Sequence, residues 1–129
     1  MWDENQKTLN ATVKFSGIGL HSGKKVDVTL VPANSNSGII FKRTDLQKDK
    51  DNEIIANFKN VSSAKLCTKI ENDSGTNVST IEHLMAAFYL CGIDNVVVNL
   101  NGPEVPIMDG SAKEFVNIIN NCGLKTLEG

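Results

Sequence analysis

Residues 79–92 read STIEHLMAAFYLCG. The run predicts a helix from about Thr80 to Leu90 that stops at Gly92, a residue suited to the left-handed turn that ends helices. Ile81, Leu84, Met85 and Phe88 recur at helical spacing and share one face, which should pack on other structure. Residues 111–123, SAKEFVNIINNCG, repeat the layout, with a helix from about Ala112 to Cys122 and a stop at Gly123. Both runs match the S-x-x-E capping box, Ser79 with Glu82 and Ser111 with Glu114. In that motif the serine caps the helix start and the glutamate reaches back to the serine amide.

Around these helices the chain reads as strands. LNATVKF at 9–15 alternates, with Leu9, Ala11, Val13 and Phe15 on one side, and VDVTLV at 26–31 does the same. GIGLHSGK at 17–24 lies between them, and its three glycines mark a turn or a close backbone approach. GIIF at 38–41, a strand near 66–71 (LCTKIE) and NVVVNL at 95–100 complete the set, with TDLQKDKDNE at 44–53 as a charged loop and NDSGTN as a turn. Strands in direct succession with two helices imply an α+β two-layer sandwich: a mainly antiparallel or mixed sheet with both helices on one face. At 129 residues the expectation is one domain over 1–129.

Composition narrows the function. The net charge of -2 offers no basic footprint for nucleic acid or an anionic membrane. The longest apolar stretch, Leu84 to Ile93, is too short to span a bilayer, and the acidic MWDENQK start is unlike a signal peptide. Three widely spaced cysteines, Cys67, Cys91 and Cys122, without a CxxC, fit a reducing cytoplasm better than a disulfide framework or zinc knuckle.

Glu82 and His83 stand out because His83 is one of only two histidines. At about 100° per residue His83 lies about 200° from Ile81, beside Ala86, Ala87 and Leu90. A solvated helix face should carry charged side chains, and this one is small or apolar. Another domain, another subunit or a substrate should therefore cover it. Two readings remain open from local sequence. The pair is a general base beside a metal ligand, or it is two inert polar groups at an interface, with Glu82 a capping residue. A catalytic zinc needs about three protein ligands, and the chain has no HxxxD, HxH or HExxH pattern.

Several motifs in order carry a family likeness: QKTL at 6–9, GIGLHSGK at 17–24, RTDL at 43–46, LCT at 66–68, STIEHLMAA at 79–87, GIDN at 92–95 and GPEVPIMDGSA at 102–112. Over about residues 6–124 the sequence resembles the UDP-3-O-acyl-N-acetylglucosamine deacetylases, zinc enzymes of lipid A and lipopolysaccharide synthesis. The resemblance implies a hydrolase that removes the N-acetyl group from a UDP-linked, 3-O-acylated glucosamine, with water attacking the amide carbonyl at a zinc ion. Carried over by motif, His83 is a zinc ligand and Glu82 the base that activates water. Leu66 and Cys67 line the active-site entrance for substrate, and His21 lies near the site. Asp109 and Ser111 match a family loop, and a turn at Asp109–Gly110 with a Ser111 cap accounts for them equally well.

The family enzyme is about twice as long and has a second α+β domain, whose HKxxDxxGD motif supplies a histidine and an aspartate to the zinc. Nothing in this sequence matches that motif. The resemblance thus implies the N-terminal domain of the deacetylase, with the remaining ligands expected from a C-terminal domain and no turnover by this chain alone. The alternative is a non-catalytic module of the same fold that binds a sugar nucleotide or another protein. Two copies could also bury the His83 face isologously.

Overall fold

The computed structural model describes residues 5–46, 51–56, 61–63 and 69–127. Its main element is a five-stranded sheet in the order β2-β3-β9-β4-β5. The strands are β2 (Val13–Ile18), β3 (Lys25–Pro32), β9 (Val96–Leu100), β4 (Ile39–Arg43) and β5 (Glu53–Ile55). Every pairing is antiparallel except β4 with β9, which is parallel. Register explains why the apolar positions fall on one side. Phe15 pairs with Val28 and Val28 with Leu100, while Val98 lies between Leu30 and Phe41, and Phe41 faces Ile54. Side chains alternate across a strand, so these residues share one face, and Val28, Leu30, Phe41, Ile54, Val98 and Leu100 are all buried.

The helices α1 (Glu82–Cys91) and α2 (Lys113–Cys122) close that face. Leu84, Ala87 and Phe88 from α1, with Phe115 and Ile119 from α2, join the sheet residues in one hydrophobic cluster. The Phe15 and Phe115 rings meet at 5.5 Å between centroids, tying α2 to β2. This is the α+β arrangement expected from sequence. One helix position differs: Ala87, assigned to the His83 side, is fully buried in the core. Gly92 ends α1 as expected, with a left-handed φ of 78°. The Ile93 and Gly92 amides donate back to the Phe88 and Tyr89 carbonyls, the bond pair of a Schellman cap.

Two smaller sheets complete the chain: β1 (Lys7–Leu9) with β10 (Leu124–Thr126), and β6 (Val61–Ser63), β7 (Lys69–Glu71) and β8 (Asn77–Ser79) in order. The expected continuous strand over 9–15 is therefore split. β1 leaves for β10, and Ala11 is exposed in the connection. The break follows from side-chain competition for the backbone. Thr8 Oγ1 donates to the Asn95 carbonyl and accepts from the Ala33 amide, and Asp94 accepts from the Lys7 amide. Asn95 also donates to Gln6 and accepts from the Gly38 amide. QKTL and GIDN are thus two sides of one structural latch. Glu53, expected at the end of a charged loop, instead opens β5 against Lys42, while residues 47–50 of that stretch lie outside the described residues.

Candidate active site

The site is organised by a strap, Pro103 to Ile107, that joins two distant parts of the chain. The Ser79 amide donates to the Pro103 carbonyl at 2.9 Å, and the Val105 amide donates to the Ser79 carbonyl at 3.0 Å. Two residues on, the Ile107 amide donates to the Ile18 carbonyl at 3.0 Å. Ser79 ends β8, just before Glu82 and His83 begin α1. Ile18 ends β2, just before the tight turn that carries His21. That turn closes on itself through the Gly19 amide to the Lys24 carbonyl and the Gly23 amide to the Gly19 carbonyl. One strap therefore anchors the supports of all three described candidate residues.

This arrangement overturns the capping box at α1. Ser79 is a strand residue whose hydroxyl donates to the Pro103 carbonyl, and Ile81 occupies the cap position without a side-chain cap bond. Glu82 is the first helical residue rather than the third. The sheet pairing of Ser79 with the strap won over the local cap. The α2 box is displaced as well. Ala112 holds the cap position, while Ser111 Oγ accepts from the Lys113 amide and donates to Asp109 Oδ1 at 2.9 Å. With Gly110 at a φ of 81°, Asp109, Gly110 and Ser111 form the turn into the helix.

Glu82 and His83 are half-buried on the first turn of α1. Further along the helix Ala86 is exposed, as are Tyr89 at 86% and Leu90 at 69%. The face expected to be too apolar for water does stand open. His21 is exposed on its turn. Leu66 and Cys67 lie outside the described residues. Among the described residues no three His, Cys, Asp or Glu side chains come together as a metal site.

Sequence reasoning missed Glu104, which is 2% exposed inside the strap. Its carboxylate accepts from the Ser22 amide at 2.8 Å, from the His21 amide at 3.1 and 3.2 Å, and from the Thr80 hydroxyl at 3.4 Å. The available signal was a charge between two prolines in PEVP, within an otherwise apolar run. Thr80 itself holds a φ of 59° while 2% exposed, an uncommon conformation for a β-branched residue. Burial pushes the Glu104 carboxyl upward, but the bonds from Ser22 and His21 outweigh it and hold its pKa below the ordinary value. Arg43 does the same for Asp45 through a two-bond fork at 2.7 and 2.9 Å.

A pH dependence follows. A carboxyl depressed in the folded state binds fewer protons there than in the unfolded chain near pH 4. The stability it contributes is complete above the ordinary carboxyl range of about 4, and is lost as pH falls through the depressed values. Urea unfolding midpoints should therefore stay level from pH 7 to about 5 and fall below about 4. Glu104→Gln should flatten that fall.

Comparison with known proteins gives the family of the chain. The family model described as LpxC, UDP-3-O-acyl N-acetylglycosamine deacetylase, matches residues 6–129. The chain belongs to this deacetylase family. It is 55% identical to the UDP-3-O-acyl-N-acetylglucosamine deacetylase of Geotalea uraniireducens over 122 residues, 95% of this chain and 39% of that protein. The enzyme of the same name from Aliivibrio fischeri is 48% identical with the same coverage. That from Wigglesworthia glossinidia brevipalpis is 48% identical over 124 residues, 41% of its length. The chain thus spans about two fifths of these deacetylases, somewhat less than the half expected from the resemblance.

Proposed function

We propose that this chain is the N-terminal domain of a zinc-dependent deacetylase acting on UDP-3-O-acyl-N-acetylglucosamine, and that Glu82 and His83 are its share of the active site. The observation that carries the reading is their place together at the start of α1, on a helix face left open at Ala86, Tyr89 and Leu90. A second domain covering this face fits both the apolar surface and the two-fifths span relative to the deacetylases.

The described residues fit zinc only in part. His83 offers one imidazole, and no cluster of three donors accompanies it among the described residues. About three protein ligands are needed, so the others are assigned to the second domain. Zinc, when bound, supplies Lewis-acid polarisation of the acetamide carbonyl. Glu82 accepts the proton of the attacking water and returns it to the departing amine, releasing acetate. His83 holds its ring in place from a helix fixed by Leu84, Ala87 and Phe88. By their family motifs, Leu66 and Cys67, which lie outside the described residues, are assigned with His21 to substrate binding. A cytoplasmic setting agrees with the free thiols Cys91 and Cys122 and with the lack, among the described residues, of a helix long and apolar enough to cross a membrane.

The test is acetate release from the substrate by this chain mixed with the separately prepared remainder of a family enzyme and zinc. Turnover that requires both parts supports the proposal. Tight sugar-nucleotide binding without turnover would instead support a binding module of the same fold.

A further inference from the structure

We propose that Glu104 is a positioning residue of this site: its buried carboxylate ties the His21 turn to the segment that launches Glu82 and His83. The inference rests on the deacetylase reading for its catalytic consequence, while the clamp itself rests on geometry alone. Three donors converge on one carboxylate, from the His21 amide, the Ser22 amide and the Thr80 hydroxyl. Two consecutive amides aimed at one point form an anion-binding concavity, and here the anion is a side chain of the protein. A buried carboxylate is costly unless its lone pairs are satisfied, so the three donors and the charge require one another.

The surrounding sequence is arranged to admit this group. A Cβ on Gly19 would lie 2.3 Å from Glu104 Oε1 and 2.6 Å from Ser22 Oγ. Residue 19 must therefore lack a side chain for the carboxylate to reach the turn. Pro103 and Pro106 restrict the strap backbone on either side of Glu104. The Ser79 and Ile18 bonds fix where the strap lies. Those backbone bonds hold the ends of β8 and β2, but neither reaches the tip of the turn, where His21 sits. Glu104 is the contact that does. Its bond to Thr80 places the same carboxylate two residues before Glu82.

The consequence is specific. With the clamp loosened, His21 loses its fixed relation to the helix start, while α1 stays seated through Phe88 and Leu84. Substrate binding should weaken more than the chemical step. Two variants approach the clamp from opposite sides. Glu104→Gln removes the charge and sets an amide NH2 against the N–H donors. Gly19→Ala keeps the charge and displaces the carboxylate sterically.

The first measurement is amide hydrogen exchange on the 129-residue chain. Each variant should speed exchange at His21 and Ser22 by about tenfold or more, and by clearly more than it speeds the core amides of Val28, Leu30 and Val98. The second is steady-state kinetics on the chain combined with the remainder of the enzyme. Each variant should raise KM by about tenfold with kcat changed far less, and the double variant should be no worse than either single one. His21→Ala should raise KM in the unaltered chain and add nothing in the Glu104→Gln background. Unchanged exchange at His21 and Ser22 would overturn the clamp. Equal acceleration across the core amides would overturn it too, by making Glu104 a general stability residue. Faster local exchange with unaltered KM and kcat would remove the positioning role. If the unaltered combination shows no turnover, the deacetylase reading fails, and the exchange data still decide whether Glu104 holds the turn.

Discussion

Glu82→Gln should lower turnover of the assembled deacetylase by roughly two to four orders of magnitude, the usual contribution of a positioned general base. The isolated chain should unfold at nearly the same denaturant concentration as before. The structure makes this contrast sharper than sequence could. A glutamate at the third helical position, bonded back to a serine cap, would cost about 1 kcal/mol or less on removal. Glu82 is instead the first helical residue, and Ser79 belongs to β8. Its negative charge near the positive end of the helix is worth about 0.3–1 kcal/mol. Glutamine keeps the shape and removes the proposed base. Acetate release and urea melts on the same preparations separate the two roles. Activity retained within a few-fold, beside a loss of several kcal/mol in stability, would make Glu82 structural.

Phe88→Ala should have the largest effect on stability, about 3–5 kcal/mol, from lost transfer energy and the cavity left behind. Phe88 is fully buried, its carbonyl accepts the closing bond from Ile93, and it anchors the middle of α1 in the common core. A loss of that size is a large share of the stability of any small domain, and it detaches the helix that carries Glu82 and His83. The neighbouring Tyr89 and Leu90 provide the control. At 86% and 69% exposed, their replacement by alanine should leave the isolated chain within about 0.5 kcal/mol of its original stability, and should weaken association with the second domain. Denaturant melts measure the first effect and titration of the second domain the other. Equal losses at Phe88 and Tyr89 would contradict the two-faced account of α1.

Much of this was legible in the residues. The alternation in VDVTLV and NVVVNL placed β3 and β9 correctly, and the Gly92 and Gly123 stops placed both helix ends. The open face of α1 could be read from Ala86 and Leu90, because a solvated helix would carry charges there. What escaped was decided by partners remote in sequence. Ser79 could cap a helix or pair with a strap at Pro103, and only the tertiary pairing settles that choice. Thr8 and Asn95 break the 9–15 strand through bonds spanning 87 residues. Glu104 looked like one more letter of a motif, because the amides it serves lie 82 and 83 positions away. Local pattern reports periodicity and stops. It does not report which distant backbone donor a side chain will meet.

The measurement that tests the central claim most directly is zinc binding by the chain alone, by the chain combined with the second domain, and by the same combination carrying His83→Ala. With His83 as the one ligand proposed from this chain, the isolated chain should bind zinc weakly. The combination should bind one zinc tightly, and His83→Ala should weaken that binding by orders of magnitude while the two parts still associate. Zinc affinity of the combination unchanged by His83→Ala, or equally tight binding by the isolated chain, would contradict the claim that Glu82 and His83 are one share of a divided site.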